Sequence, residues 1–361
     1  MSKANKARLI RILSHYDLGI IQQVARLQAG RAHSRKILVT SARGRTILKY
    51  RRTTQEGVER IEFAHSVLAY LKKRGLEVCV PIPSRDQGKT VVYLGGVAYE
   101  MLPYIAGQRY PQTLSATADA GLHLGQLHRS LGYFRASSRL STLSYHDSPA
   151  IRRHLKTSLP ERLLMSSGMK DLLEDLRFAY DDSTARVNRL GCEQWASQII
   201  HGDWHPGNLI YHDDRVVAIL DFDTIRMALP VLDLANGLLQ FSIQTGSAHP
   251  HQWPAALDMH RLTQFLAGYR QAHEPTAHEL QAIPDLMIES LMAEAVIPIA
   301  ASGSLGPYAG SDFLAMIQRK IDWIRNHRRD LIARLVQVCD QAIPAQLPQA
   351  EPGQAQGGQG A

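Results

Sequence analysis

Cysteine is scarce in this 361-residue chain: Cys79, Cys192 and Cys339 are the whole complement, and they lie far apart. That spacing excludes a disulfide framework and a CxxC metal knuckle, leaving three isolated thiols. Long apolar runs are missing too. No stretch reaches the roughly 18 consecutive apolar residues of a membrane span, and Met1 to Leu13 alternates basic with apolar residues instead of building the core of a secretion signal. A cytoplasmic protein with no membrane partner is expected. Acidic side chains are rare at one end: residues 1–110 hold 7 Asp and Glu against 20 Lys and Arg, while the remainder holds 26 against 21. Such a basic segment suits nucleic acid or a polyphosphate ligand equally well. No nucleic-acid module accompanies it, so no nucleic-acid partner is expected. There is no internal repeat.

What is present is an ordinary apolar content of 45%, enough for a sizeable core. Lys6 to Tyr16 reads as a short amphipathic helix stopped by Gly19. Ile20–Leu27, Arg35–Thr40 and Arg45–Tyr50 are β-favouring runs joined by turns, a three-stranded meander. Thr53-x-x-Glu56 reads as a capping box opening a helix whose stripe is Val58, Ile61, Ala64, Leu68 and Leu71, closed by Gly75. Two more strands, Lys89–Tyr93 and Val97–Leu102, flank Gly95-Gly96. Beyond Gly107 the pattern turns helical, with Leu114–Leu131, Pro160–Tyr180 and Thr184–Trp195 as the clearest segments. The expected organisation is α+β: residues 1–102 as a small antiparallel-sheet lobe, 103–343 as a larger, mainly helical lobe, and 344–361 as a disordered tail rich in Gln, Pro and Gly.

One β interlude interrupts the helices. It reads Ile199-Ile200-His201-Gly202-Asp203-Trp204-His205-Pro206-Gly207-Asn208-Leu209-Ile210-Tyr211, then Asp213-Asp214, then Arg215 to Asp221-Phe222-Asp223. A two-residue turn at Asp213-Asp214 would pair 212 with 215, 210 with 217 and 208 with 219, bringing Asn208 and Asp221 to one open end. Asp203 sits on the loop just before. Three oxygen-bearing side chains then converge, a donor set suited to a hard cation such as Mg²⁺ that keeps water and phosphate oxygens in its shell.

His201-x-Asp203-x4-Asn208 followed by Asp221-Phe222-Asp223 resembles the catalytic loop and metal motif of the aminoglycoside phosphotransferase and choline kinase-like superfamily. That superfamily has the two-lobed protein-kinase-like fold, and the resemblance is nearest to its homoserine kinase type II-like branch. It implies an ATP- and Mg²⁺-dependent transfer of a phosphoryl group to the hydroxyl of a small molecule: an amino acid or amino alcohol, less readily an aminoglycoside. By resemblance Asp203 is the catalytic base, Asn208 and Asp221 hold Mg²⁺, and Asp233 braces the loop. His201 is read as scaffold.

A kinase-like chain also needs an upstream lysine for the phosphates and a helix glutamate to hold it. Lys49 in Ile47-Leu48-Lys49-Tyr50 and Glu62 on the capped helix fill those places. The turn containing Gly30 and Ser34 takes the place of the phosphate-covering loop, with a single glycine. Leu102, Pro103 and Ile105 correspond to the hinge that meets adenine; Pro103 can offer only its carbonyl, leaving Ile105 to donate. Two other readings use the same residues. A zinc-dependent hydrolase would ligate metal through His201, Asp203 and His205, but leaves Lys49 and Asn208 without a role. A catalytically silent nucleotide-binding scaffold would have no need of a base at Asp203.

Overall fold

The computed structural model describes residues 3–27, 35–85, 88–135, 141–157 and 168–342. Gly30, Ser34 and the 344–361 tail lie outside them. Helix α1 (Lys3–Leu13) precedes strands β1 (Ile21–Leu27), β2 (Arg35–Ser41) and β3 (Gly44–Arg52), helix α2 (Gln55–Lys73), and strands β4 (Val92–Leu94) and β5 (Val97–Pro103). The strands form one antiparallel sheet in the order β1-β2-β3-β5-β4.

Period-two alternation gives this sheet two different faces. Leu48 of β3 and Val97, Tyr99 and Met101 of β5 bury against Ile12, Leu13, Tyr16 and Leu18 from α1 and the segment after it. The opposite face carries Ile47, Lys49, Ala98, Glu100 and Leu102; Ala98 packs against Val58 and Ile61 of α2. In this register Lys49 lies directly across from Glu100.

Helix α2 begins one residue later than the capping box implied. Thr53 is still tied to the sheet, its N–H donating to Gly96 O at 3.1 Å, and Thr54 caps the helix by accepting from Gly57 N.

The remainder is mainly helical: α3 (Leu114–Leu131), α4 (Pro149–Thr157), α5 (Met169–Arg189), α6 (Pro230–Ser242), α7 (Met259–Arg270), α8 (Ala277–Ser302), α9 (Gly310–Asn326) and α10 (Arg328–Asp340). The two helices expected over Pro160–Tyr180 and Thr184–Trp195 are replaced, in the described part, by the single α5. Nothing between Tyr180 and Thr184 breaks a helix, and the stop is Gly191 in the left-handed region at φ 75°. Short strands β6 (Gln198–Ile200) and β9 (Arg226–Ala228) pair, as do β7 (Leu209–His212) and β8 (Arg215–Ile219), and β10 (Ser304–Leu305) with β11 (Tyr308–Ala309). No helix among the described residues is long and apolar enough to cross a membrane.

The helical lobe is organised on α3 and α7, which touch backbone to backbone. A Cβ built on Gly121 would lie 2.0 Å from Phe265 O, one on Gly125 2.4 Å from Tyr269 O, and one on Gly268 1.8 Å from Ala118 O. Gly121 and Gly125 are one helical turn apart, so only small residues there permit the approach. Against this seam sits a polar chain. His128 of α3 reaches Tyr269 OH at 2.9 Å through Nδ1 and Asp233 Oδ2 at 3.4 Å through Nε2, and its ring packs edge-on to His273.

Two outcomes follow. Gly268→Ala should cost about 3 kcal/mol or more in urea unfolding, because the clash is with backbone and cannot be relieved by a rotamer; a midpoint within experimental error of wild type would contradict the seam. Burial, reinforced by the nearby His128, holds the His273 imidazole down at about 4, below its ordinary 6.5. The unfolded chain therefore binds the extra proton first as pH falls, and stability contributed by neutral His273 is present above pH 6.5 and lost toward pH 4. Urea midpoints measured across that window should fall more steeply for wild type than for His273→Gln; parallel curves would contradict it.

Candidate active site

The β7–β8 hairpin has the expected two-residue turn, with His212 opposite Arg215, but a bulge follows: Tyr211 pairs with Val216 and Ile210 with Ala218. Leu209 therefore meets Ile219, and Asn208 O accepts from Leu220 N at 2.8 Å. The one-residue shift leaves the expected consequence intact, since Asn208 still ends one strand where Asp221 follows the other. Both strand edges are covered. Gln108, past the hinge, exchanges backbone hydrogen bonds with Tyr211, and the segment before β4 donates Cys79 N to Ile219 O. From α3, buried Asp119 accepts from Val216 N at 2.7 Å and meets Arg215 Nη1 at 2.9 Å.

The loop ahead of β7 is held from behind. Asp233, on the first turn of α6, is 2% exposed and accepts from His201 N at 2.7 Å and Gly202 N at 2.9 Å. Gly202 has φ 77°, and a Cβ there would lie 2.5 Å from Thr224 O, so the turn demands glycine. Arg226 closes it by donating from Nη2 to Gly202 O and from Nε to Thr224 O. His201 is fully buried and donates from Nε2 to Leu220 O at 2.9 Å, tying the loop to the strand that leads into Asp221. That backbone bond fixes the ring against the strand leading into Asp221; among the described residues no group of three or more His, Cys, Asp or Glu is placed to hold a metal, which leaves the zinc set of His201, Asp203 and His205 without support.

Asp203 and Asn208 meet directly. Asn208 Nδ2 donates to Asp203 O at 2.8 Å and to Asp203 Oδ2 at 3.3 Å. With its amide nitrogen engaged, Asn208 presents Oδ1 as its remaining polar atom. His205 orders the turn, its Nδ1 accepting from Gly207 N, and its Nε2 lies 3.7 Å from Asp203 Oδ2. Asp221 adopts the left-handed region at φ 61°, a strained placement typical of functional positions.

Lys49 reaches this end of the hairpin from the sheet. Its Nζ lies 2.7 Å from Asp223 Oδ2 and 3.2 Å from Asp221 Oδ1. Arg51, two residues along the same face of β3, also pairs with Asp223. Burial pulls the Lys49 ammonium down, but Asp223, Glu100 and Asp221 outweigh it and hold the group above its ordinary 10.5. Burial likewise opposes ionisation of Asp223, yet Lys49 and Arg51 hold its carboxyl down at about 2.

Glu62, expected to hold Lys49, does not reach it: Glu62 is exposed and forms no ion pair with it. The buried stripe runs through Val58, Ile61, His65 and Leu68, and Glu62 falls a full 100° step past Ile61. Sequence reasoning missed Arg51, His65 and Glu100. Glu100 had a signal, a carboxylate inside the apolar run Ala98 to Leu102, where burial without partners is costly. Its partners are Arg51 Nη2 at 2.9 Å and His65 Nε2 at 3.0 Å.

A cavity of about 430 Å³ opens beneath the sheet, its walls including Lys49, Glu100, Leu102, Leu209, Asp221 and Asp223. Pro103 and Ile105 line it as well. Among the described residues, the Pro103 carbonyl receives a long contact from Cys79 Sγ at 3.8 Å. The Ile105 N–H has no hydrogen-bond partner among the described residues.

Residues 23–281 match the model of the phosphotransferase enzyme family, APH. A homoserine kinase of Methylocella silvestris is 24% identical over 287 residues, 79% of this chain and 82% of that one. In fold, a microcompartment-associated aminopropanol kinase superposes with a TM-score of 0.65 at 16% identity, covering 91% of this chain and 99% of the other. An amicoumacin kinase solved with AMP-PNP and Ca²⁺ gives a TM-score of 0.63 at 18% identity, covering 90% and 96%. With its two-lobed kinase-like fold and a family match spanning most of its length, the chain belongs to the APH phosphotransferase enzyme family.

Proposed function

We propose that the chain transfers the γ-phosphoryl group of ATP to a hydroxyl of a small amino acid or amino alcohol. The observation that carries this is the meeting, at one cavity, of a buried lysine with the Asp221 and Asp223 carboxylates, at the end of the hairpin whose other strand follows the Asp203–Asn208 pair. In this reading adenine takes the Pro103 carbonyl and the Ile105 N–H. Lys49 leaves its resting carboxylates to meet the phosphates.

The donor set suits Mg²⁺: the Asn208 amide oxygen and the Asp221 carboxylate are hard oxygen ligands, few enough to leave room for water and phosphate oxygens. Bound between them, Mg²⁺ would offset charge on the phosphates. Asp203 accepts the acceptor hydroxyl's proton as that oxygen bonds to the γ-phosphorus, the bond from γ-phosphorus to the β–γ bridging oxygen breaks, and ADP departs. Positioning and electrostatics supply most of the rate.

The acceptor class rests on chemistry and likeness together. The chain after Asp223 holds 12 acidic and 9 basic residues, close to neutral and a poor match for a polycation. The similar proteins named a homoserine kinase and an aminopropanol kinase act on small amino compounds bearing a hydroxyl.

ADP release from Mg·ATP, measured against a panel that includes homoserine, aminopropanol and choline, should single out one such compound. Asp203→Asn should then lower kcat by roughly 10²- to 10⁴-fold with little change in ATP affinity, the signature of a lost general base. Asp221→Ala should instead abolish the Mg²⁺ dependence of ATP binding in calorimetry. No turnover with any acceptor, or ATP binding indifferent to Mg²⁺ in wild type, would count against the proposal.

A further inference from the structure

In the kinase reading Lys49 needs a carboxylate that stays with it once Asp221 turns to the metal and the phosphates compete with Asp223 for the ammonium, and α2 does not supply one. The buried residues of α2 are Val58, Ile61, Ala64, His65, Val67, Leu68 and Leu71, of which His65 alone is polar. Glu100, by contrast, is 3% exposed, lies directly across the β3–β5 ladder from Lys49 and lines the same cavity.

Glu100 is itself held from two sides. A carboxylate only accepts, so His65 Nε2–H donates to Glu100 Oε2 at 3.0 Å, while the imidazole Nδ1 lies 2.7 Å from Thr90 Oγ1. Arg51 Nη2 stands 2.9 Å from Oε1, yet Oε1 receives no hydrogen bond of good geometry. A buried carboxylate oxygen with an open lone pair thus sits in the cavity wall, on the strand next to Lys49.

From this juxtaposition we infer that Glu100 is the positioning carboxylate for Lys49 in the nucleotide-bound enzyme, and that α2 acts on the site through His65 and not through Glu62. The inference rests on the kinase reading given above. Glu100 fixes where Lys49 points when the ammonium turns from Asp221 and Asp223 to the phosphates, and His65 keeps the carboxylate in the rotamer that allows this. Movement of α2 would then be felt at the phosphates through one imidazole.

Calorimetry with Mg·ATP on the full chain tests this without requiring the acceptor. Lys49→Ala and Glu100→Gln should each weaken binding by about tenfold, and the double variant should be little weaker than either, as expected for residues working as a unit. Glu62→Gln should bind as wild type does. Additive losses, an unaffected Glu100→Gln, or a Glu62→Gln as weak as Lys49→Ala would each overturn the inference and leave the kinase reading standing. A wild type that does not bind Mg·ATP overturns both. If circular dichroism shows Glu100→Gln to be unfolded, His65→Leu and His65→Gln replace it: binding should weaken in the first and be restored in the second, whose amide can still donate to Glu100. Equal affinity in that pair would overturn the inference.

Discussion

A lysine that is 5% exposed cannot stand alone. Moving an ammonium group into a protein interior costs several kcal/mol unless opposite charge goes with it. Lys49 meets that demand with Asp221 and Asp223, which belong to the other lobe. The sheet and the helical lobe are therefore joined at the cavity by charge, and not only by the apolar contacts of α2. Deleting one member of this group would strand the others, so the arrangement is far more sensitive to loss of one partner than its modest net contribution to stability suggests.

Everything behind that junction serves to keep its carboxylates in place. The hairpin that ends in Asp221 is flanked on both edges by backbone from other segments and is tied to α3 through Asp119. The loop carrying Asp203 hangs from Asp233, and Asp233 touches His128, which stands at the α3–α7 seam. Glycines at 121, 125 and 268 let that seam close. A polar group at the cavity is thus positioned by a tightly packed core, the property that lets a phosphoryl-transfer site work by pre-organisation instead of by covalent chemistry.

The resting partners of Lys49 are also informative about the proposed cycle. Asp223 is engaged by two cations at once, Lys49 and Arg51, and its carboxyl is held down at about 2 as a result. A nucleotide entering the cavity brings negative charge to the same two cations, so phosphate and Asp223 compete for them. The hydrogen-bonded Glu100 next to them offers a place for positive charge to remain satisfied during that exchange.

Much of this was legible from residue order alone. The strand meander, the α2 stripe, the catalytic-loop run from His201 to Asn208 and the two-residue turn at Asp213-Asp214 are all local, and period-two or period-3.6 patterning writes local structure into the sequence directly. The sequence likewise determined that Asn208 and Asp221 would share one end of a hairpin. Only the tertiary structure decided the partners of Lys49. Glu62 lies on the correct helix and at a plausible spacing, but the rotation of α2 on the sheet is set by how Val58, Ile61 and Leu68 pack, and that packing turns Glu62 to solvent and His65 inward. Glu100 lies 51 positions from Lys49 and meets it through strand register. A one-residue bulge between Ile210 and Tyr211 changed a predicted register without moving the chain ends that matter. Helix rotation and strand register arise from contacts between segments distant in sequence, and a pattern read along one segment carries no record of them.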